Sequence, residues 1–372
     1  MRHYFLGVAA NYSRKKRLIH TFAVGRKRDC EKLEKFLTKK YRGERTILTK
    51  NGRSALTLAL KANFKPGDAI ILNGFTCYAV YEAIKAANLV PIWADIDKVT
   101  LNFNAKTVDR AIKLTGTTNK PVGIIVQNSL GNMVDALEIE ELAKKHNLTI
   151  IEDLAHCAGL RYPDGREAGT VGAAAIFSFG KDKAIDTISG GAVVLRHPCK
   201  NIIKAPSKLP KVSDILRARF YPLFGAISRG LSYICLGGVW MRILVKIHWV
   251  EKSADNKLNV DQRIAKFEAK LALKQIKNID KSKIKPLRKF YLVNDRDKVL
   301  KNLQKKGYYF GGFWYERPVS PERYYKKVHF PETDCPISTE VTKKIINLPS
   351  YYKEKDLKMA KKIIANYLEE VK

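Results

Sequence analysis

Short apolar runs alternate with helical patterns between about residues 45 and 196, and this alternation constrains the fold more than any other feature of the sequence. The runs have the length of buried strands, and the intervening segments repeat apolar residues at helical spacing. Strand-like runs are Ala69–Leu72, Val122–Val126, Leu148–Ile151, Ala174–Phe179 and Ala192–Leu195, and helical patterns are Ser54–Ala62, Tyr78–Ala87 and Ile139–His146. This pattern predicts a largely parallel sheet covered by helices on both faces. In such sheets, ligands bind beyond the carboxyl ends of the strands.

The composition predicts a globular protein, since hydrophobic residues make up 45% of the 372 residues despite 28% charged residues. This excludes a disordered chain, and the length supports a large α/β domain with a smaller partner. The excess of 69 Lys and Arg over 36 Asp and Glu gives a net charge of +33. The basic residues are spread along the whole chain without zinc-finger spacing or an aromatic RNA-binding signature, so we predict neither a nucleic-acid partner nor a metal site.

The cysteines and the hydropathy favour a cytoplasmic protein. The six cysteines, at positions 30, 77, 157, 199, 235 and 335, form no CxxC pair, which indicates reduced thiols. No segment reaches the 18 or so uncharged apolar residues that a membrane span needs.

We predict four segments along the chain. They are an N-terminal basic segment and helix (1–45), a large ligand-binding domain (46–205), a basic aromatic insert (206–254) and a small C-terminal α/β domain (255–372). The C-terminal domain contains a helical pattern at Ala265–Ile276 and a last helix after Asn347–Pro349.

The insert has an unusual composition. Between Lys208 and Lys252 it carries eight Lys and Arg against two acids, with aromatic residues interleaved. Its uncharged middle, Gly230–Met241, has 12 residues and is too short to cross a bilayer. Such a stretch either lies in the interface of an anionic membrane or packs as helices against the second domain or a dimer partner.

Two motifs place polar groups at the expected ligand edge. Asn51–Leu56 is a glycine turn that opens an apolar helix, and it either binds an anion at the helix start or simply caps the helix. The strand ending at Ile151 is followed by Glu152 and Asp153. A carboxylate there suits a metal, a ribose or a protonated ring nitrogen, and otherwise is an N-cap or a surface acid.

Two further motifs follow later strands. Ser178 and Lys183 lie five residues apart beyond a strand and can reach opposite ends of one small ligand. A lysine acts as a nucleophile when burial or a cationic neighbour lowers its pKa, although a solvated lysine is the alternative. Ser189–Gly191 leads into the next strand, where glycine allows close approach of the backbone.

Together these features suit pyridoxal 5'-phosphate, which needs a phosphate site, an anion facing the pyridine nitrogen and a lysine. Their order and spacing resemble the DegT/DnrJ/StrS family of pyridoxal-phosphate-dependent sugar aminotransferases, from about residue 45 to the end. The motifs that carry the resemblance are Gly67–Ile71, Phe75–Cys77, Pro91–Asp97, Asn128–Gly131, Glu152–His156 and the Ser178–Lys183 pattern. The resemblance implies fold type I (aspartate aminotransferase-like), with a mainly parallel mixed sheet between helices and a smaller C-terminal α/β domain.

The resemblance also implies a role for each matching residue. Lys183 would hold the cofactor covalently and then move a proton, with Lys181 as its rival. Asp153 would keep the pyridine nitrogen protonated, and His156 would lie near the cofactor ring. The residues implied in phosphate binding are Gly52, Arg53, Ser54 and Ser178. Cys77 belongs to the cofactor site too, but stands where the family often has a stacking aromatic ring.

The activity that the resemblance implies is transfer of an amino group from glutamate to a nucleotide-linked keto-sugar, for surface polysaccharide. A homodimer is implied as well. The polyanionic diphosphate would suit a basic cleft. Two alternatives stay open: a lipid-linked or other ketone substrate, or a catalytically silent regulatory protein that binds pyridoxal phosphate.

Overall fold

The structure is a computed structural model that describes residues 3–6, 12–116, 119–196, 199, 201–234, 236–250, 258–279, 285–310 and 314–369. Its strands are β1 Tyr4–Phe5, β2 Arg45–Thr49, β3 Ala69–Asn73, β4 Thr76–Cys77, β5 Val90–Ala94, β6 Pro121–Val126, β7 Thr149–Asp153, β8 Ala174–Ser178, β9 Gly191–Leu195, β10 Arg288–Leu292, β11 Tyr308–Tyr309, β12 Val319–Ser320 and β13 Ile345–Pro349. Its helices are α1 Arg14–Phe22, α2 Lys27–Lys40, α3 Gly52–Asn63, α4 Tyr78–Ala86, α5 Ala105–Leu114, α6 Ala136–His146, α7 Val212–Ser232, α8 Gly237–Lys246, α9 Lys266–Lys277, α10 Arg296–Lys305, α11 Glu322–Tyr325, α12 Pro336–Lys344 and α13 Glu354–Ala365.

A seven-stranded mixed sheet forms the centre of the described chain. Its strand order is β2-β9-β8-β7-β6-β3-β5, and β9 runs antiparallel to both of its neighbours while the other pairs are parallel. The five predicted strands are all present, as β3, β6, β7, β8 and β9. The predicted α/β fold with a mainly parallel mixed sheet is confirmed.

Helices cover both faces of this sheet, because alternate residues of each buried strand point to opposite sides. Ile70 and Leu72 of β3 pack in a cluster with α3 and α4. Ile71, between them, packs in the cluster of the other face, which holds residues of α2, α5, α6 and α9. This arrangement explains why the strands are apolar throughout instead of alternating with polar residues.

A second α/β region is formed by the later part of the chain. Strands β10 and β13 pair antiparallel, and α10 and α13 pack with them around Leu348 and Val299. The N-terminal residue Leu6 is fully buried in the same cluster, and β1 pairs with β11. The segment boundaries given above stay a prediction.

The insert forms two helices, α7 and α8, with Pro222 inside α7. One side of α7 packs through Ala218 and Tyr221 into a cluster that includes Leu244 of α8 and Phe267 of α9. The predicted segment 206–254 also contains residues 235 and 251–254, which lie outside the described residues. Within the described chain, no helix has the length and hydropathy needed to traverse a bilayer.

Candidate active site

The candidate site lies where two neighbouring parallel strands end next to the start of a helix. Asp153 is the last residue of β7, and Ser178 is the last residue of β8, which pairs with β7. Gly52, the first residue of α3, lies against Ser178, since a Cβ added to Gly52 would be 2.6 Å from the Ser178 Cβ. The topology therefore brings these three predicted residues to one edge of the sheet.

The two acids at the end of β7 have different surroundings, as expected for adjacent residues on a strand. The carboxylate of Glu152 accepts hydrogen bonds from the Tyr162 hydroxyl and from the backbone N–H groups of Gly169, Val171 and Gly172, and it pairs with the Arg196 guanidinium. Glu152 is thus fully engaged in holding the loop that follows. Asp153 accepts one hydrogen bond that the structure gives, from the Ala155 backbone N–H at 2.9 Å.

Asp153 and Lys183 lie within electrostatic range of each other. Burial raises the pKa of the Asp153 carboxyl to about 6, against the lowering effects of the Ala155 N–H and the Lys183 ammonium. Burial lowers the pKa of the Lys183 amine, while Cys77, Asp153 and Asp182 oppose that shift. Burial thus disfavours the charged form of both groups, the Lys183 ammonium and the Asp153 carboxylate.

His156 is a buried neutral imidazole with a defined tautomer. Burial, together with the charges of Lys183 and Arg288, holds the pKa of its ring well below the usual range. The Leu130 backbone N–H donates to Nδ1 at 3.1 Å, so the proton of the neutral ring resides on Nε2. Nε2–H is then a donor that can serve an acceptor atom of a bound ring.

The two rival lysines point to different places. The Lys183 Nζ lies 4.6 Å from the ring centroid of Trp314, near His156. The Lys181 Nζ lies 4.0 Å from the ring centroid of Tyr221, on the insert helix α7. Lys183 is therefore the lysine that faces Asp153 in this structure.

The start of α3 is closed by the returning strand β9. The Gly190 N–H donates to the Lys50 carbonyl at 2.7 Å, and Gly190 bridges to Asn51. A Cβ added to Gly191 would be 2.5 Å from the Asn51 carbonyl carbon, so this glycine permits the close approach. We call the region formed by Gly52, Ser178 and Ser189–Gly191 the phosphate cup.

Two side chains predicted at the phosphate cup have structural partners. The Arg53 guanidinium forms an ion pair with Glu82 of α4. The Ser54 hydroxyl donates to the Asn259 carbonyl at 3.0 Å, and the Ser54 N–H donates to the Asn51 side chain, the N-cap of α3. The capping interpretation of this turn thus holds, and it is compatible with an anion at the helix start because a cap satisfies only part of the terminal N–H groups.

Cys77 ends β4 and lies in the cluster with Trp314 and Tyr315. Both neighbouring aromatic residues have ring partners within the chain. Phe75 is fully buried against Tyr315, with ring centroids 4.7 Å apart, and Tyr78 stacks on Tyr324 at 4.3 Å.

Trp314 is a site residue that the sequence analysis missed. Its ring stacks on His156 with centroids 4.7 Å apart and planes 13° apart. Arg288, also missed, is buried within 5.5 Å of the Trp314 ring and donates to Asn347 and to the Leu6 carbonyl. The run Gly311-Gly312-Phe313-Trp314-Tyr315 was the available signal for Trp314, whereas Arg288 stands in a strand with nothing to distinguish it.

The described residues fit pyridoxal 5'-phosphate. A buried carboxyl with a pKa of about 6 is the group that a protonated ring nitrogen would compensate, and an amine of lowered pKa lies near it. The neutral His156 offers a donor, and the phosphate cup offers a hydroxyl and a helix start for a dianion.

A cavity of about 60 Å³ adjoins the phosphate cup on the insert side. Its wall includes Ser189 of the cup, the adjacent Lys50 and Asn51, Lys181, and Tyr221 of α7. The insert therefore contributes to the surroundings of the site.

Sequence comparison finds one matching family model and relatives of known name. The sequence model of the DegT/DnrJ/EryC1/StrS aminotransferase family matches residues 20–204. A "Pleiotropic regulatory protein" of Geobacillus stearothermophilus is 34% identical over 45% of this chain and 44% of its own length. A "GDP-perosamine synthase" of Escherichia coli O157:H7 is 38% identical over 39% of this chain and 38% of its own length. The matched part of the chain thus spans less than half of either relative.

Structural comparison extends over nearly the whole chain. A Streptococcus pneumoniae structure, described as a sugar aminotransferase in its PLP form, has a TM-score of 0.64 at 16% identity and covers 97% of this chain and 98% of its own. At that identity the likeness shows the shared fold. The match to the family model identifies the family: the chain belongs to the DegT/DnrJ/EryC1/StrS aminotransferase family, whose cofactor is pyridoxal 5'-phosphate.

Proposed function

We propose that this chain is an aminotransferase that moves an amino group from glutamate to a nucleotide-linked keto-sugar, in the biosynthesis of amino sugars for surface polysaccharide. The observation that supports it most is that the buried Asp153 carboxyl and the neutral His156 both lie within electrostatic range of the Lys183 amine. A lysine of lowered pKa and a facing carboxylate are what transamination with pyridoxal phosphate requires.

The cofactor, when bound, supplies an electron sink that stabilises negative charge on the substrate carbon attached to nitrogen. Lys183 would hold it covalently, and its amine would carry a proton to and from the reacting carbon. Burial lowers the pKa of Lys183, and this shift favours the neutral amine that can accept that proton.

Asp153 and His156 would orient the ring of the cofactor, one as a hydrogen-bond acceptor and the other as a donor. Asp153 would accept from the ring nitrogen and keep it protonated, since the carboxylate gains a partner for its buried charge. The Nε2–H of His156 would donate to an oxygen on the ring, because Nδ1 already accepts from Leu130. Ser178 and the start of α3 would hold the phosphate.

The charge of the protein supports a polyanionic acceptor substrate. The cavity beside the phosphate cup carries Lys50, Lys181 and Arg217, with Asp214 as its acid. A sugar on a nucleoside diphosphate would be attracted to such a wall and to the overall charge of +33. The Escherichia coli relative, by its name, has a GDP-linked product.

We further propose that the chain works in the cytoplasm as a homodimer. The family resemblance suggests the dimer, and the five described cysteines are free, as in a reducing compartment. Light scattering of the purified protein tests the dimer directly, and a monomeric mass at working concentration would refute it.

Trapping and half-reaction experiments test the function. The purified protein should absorb as a lysine-bound pyridoxal enzyme, and borohydride followed by peptide mapping should label Lys183. In a separate sample that has not been reduced, glutamate should convert the bound cofactor to its amine form, and a nucleoside-diphosphate keto-sugar should convert it back. Lys181→Ala is the matched control for the lysine assignment and should keep both the labelling of Lys183 and the conversion by glutamate, whereas Lys183→Ala should lose both.

Three results would contradict the proposal. Labelling at Lys181 would reassign the lysine. A bound cofactor that glutamate never converts would favour a regulatory role, in line with the name of the Geobacillus relative. Conversion by glutamate with return only by ketones that lack a diphosphate would overturn the substrate class while leaving the aminotransferase assignment intact.

A further inference from the structure

The insert exposes two apolar stripes that nothing in the described chain covers. On α7, Leu216, Leu223 and Ile227 are 38–40% exposed and recur at helical spacing along one line. On and just after α8, Val239, Ile243 and Ile247 are 41–53% exposed at intervals of four. We call these two stripes, together with the turn residues Tyr233, Ile234 and Leu236 between them, the hairpin face.

The turn is the most apolar part of the hairpin face. Tyr233, Ile234 and Leu236 are 57%, 63% and 49% exposed. The two helices approach closely at its base, where Gly237 lies against Ser228 and Ser232. The turn is therefore held at the end of a packed helical pair, and a large exposed apolar patch of this kind marks an interaction site.

The inner side of the same helices already has its partners. Ala218, Tyr221 and Leu244 are buried in the cluster with Phe267, and Phe224 packs edge-on against Trp240 and Trp249. The core-facing side of the two helices is thus packed against other parts of the chain, and the outward stripes form a second, exposed apolar surface.

The charges beside the hairpin face have one sign. Arg242 and Lys246 are exposed next to the α8 stripe. Asp214 is the one acidic residue between positions 208 and 250 of the sequence, and it pairs with Lys50 and Arg217 away from the turn. The neighbouring helix α1, which packs on α7, adds the exposed Arg14 and Lys15.

This combination selects one occupant. A second copy of the same face would bring like charges together, and an uncharged apolar partner would leave the cations without a counterpart. An anionic bilayer offers both an apolar interior and negative headgroups, and the helices are too short to span it. We propose that the hairpin face docks the chain on an anionic lipid bilayer, with Tyr233, Ile234 and Leu236 inserted into the interface.

Docking would bring the phosphate cup near the membrane. The side of α7 opposite the stripes supplies Ala218 and Tyr221 to the cavity that adjoins the cup. A helix with its side chains is about 10 Å thick, so the cup would lie on the order of one helix diameter from the lipid headgroups. The proposal does not depend on the reaction catalysed.

Flotation of the full-length protein with lipid vesicles tests the proposal. The vesicles contain phosphatidylcholine alone or mixed with phosphatidylglycerol, in about 0.15 M salt, where exposed charges are screened beyond about 8 Å. The wild type should float with the anionic vesicles and stay at the bottom with the neutral ones. Removal of two charges in Arg242→Gln/Lys246→Gln should lower the partition coefficient roughly 30-fold, at about fivefold per charge.

The apolar contribution is tested separately. Leu223→Ser/Ile227→Ser/Ile243→Ser should lower the partition coefficient by at least about tenfold, because less apolar surface enters the interface. The matched controls are Leu114→Ser/Leu137→Ser, at positions 56% and 53% exposed on α5 and α6, and Lys113→Gln/Lys144→Gln. Both controls should bind within about twofold of the wild type, since neither pair lies on the hairpin face. Circular dichroism melting of every variant shows whether it is folded.

Each other outcome overturns the proposal. Absence of wild-type flotation with anionic vesicles refutes docking. Unchanged flotation of the folded triple variant would show that the protein adsorbs to the vesicles through its net charge alone, and it would refute insertion of the hairpin face. A triple variant that has a smaller mass than the wild type by light scattering, with no lipid binding by either, assigns the hairpin face to contact between copies.

Discussion

Replacing Asp153 by Asn should stabilise the cofactor-free protein at neutral pH. Burial raises the pKa of this carboxyl from its ordinary 3.8 to about 6, so the folded chain binds the proton more tightly than the unfolded chain does. Each pH unit between the two pKa values corresponds to about 1.4 kcal/mol, so ionised Asp153 costs about 3 kcal/mol of folding free energy above pH 6. An Asn of the same shape avoids this cost and can still accept from Ala155.

The sign follows from linkage. The free energy of unfolding of the wild type should fall as the pH rises from about 4 to about 6 through this group, and level off above that range. Asp153→Asn should therefore be more stable than the wild type by up to about 3 kcal/mol near pH 7, and nearly equal to it near pH 4. Urea unfolding of cofactor-free protein, followed by circular dichroism across this pH range, measures the difference.

Addition of pyridoxal phosphate at neutral pH should largely cancel this stability difference. A bound ring nitrogen would compensate the Asp153 charge, so the wild type should gain more from the cofactor than the variant does; a ligand at about 100 times its Kd adds about 2.7 kcal/mol. Asp297→Asn, at an exposed position, is the control for loss of a carboxylate. A stability difference for Asp153→Asn that is the same near pH 4 and near pH 7 would refute the reasoning.

Three further substitutions have defined outcomes. Glu152→Gln should cost about 3–5 kcal/mol in urea unfolding, because it leaves the buried Arg196 guanidinium without its counter-charge; a cost under about 1 kcal/mol would contradict this. Gly52→Ala should cost about 1–3 kcal/mol and weaken cofactor binding in a titration, because the new Cβ would lie 2.6 Å from the Ser178 Cβ, and unchanged affinity would show that the cup is loose. Burial raises the pKa of Glu268 from 4.5 to about 7, so Glu268→Gln should raise the free energy of unfolding near pH 8 and leave it almost unchanged near pH 5, with equal effects at both pH values as the refuting result.

The sheet was predictable because its signal is local. Each buried strand is an apolar run with a helix after it, so the edge that holds Asp153 and Ser178 follows from strand order and direction alone. The two adjacent residues alone left the roles of Glu152 and Asp153 open, and only the resemblance singled out Asp153. In the structure, the loop at 169–172 and Arg196 distinguish the two carboxylates. The difference between the two roles depends on tertiary contacts, which the spacing of residues in the sequence does not encode.

The remaining site residues depend on contacts between distant segments. Trp314 reaches His156 from a part of the chain more than 150 positions away, and Arg288 is held by Leu6 from the N-terminus. For the insert, composition indicated either packed helices or a surface segment, and the structure has α7 and α8 packed on one side and exposed on the other. The sequence pattern predicts that the insert is helical. Which side of each helix is buried depends on the neighbouring helices α1 and α9, which the pattern does not reveal.

The reversed strand β9 has a consequence for the order of events during synthesis. Gly190 and Gly191 close against Lys50, Asn51 and the start of α3, so the two halves of the phosphate cup are about 140 positions apart in the chain. A nascent polypeptide that has left the ribosome only as far as β8 has no completed cup, since the segment that seals it is still in the exit tunnel. Cofactor binding at the cup would then begin only after β9 has left the tunnel, so binding would indicate that the whole sheet has been synthesised.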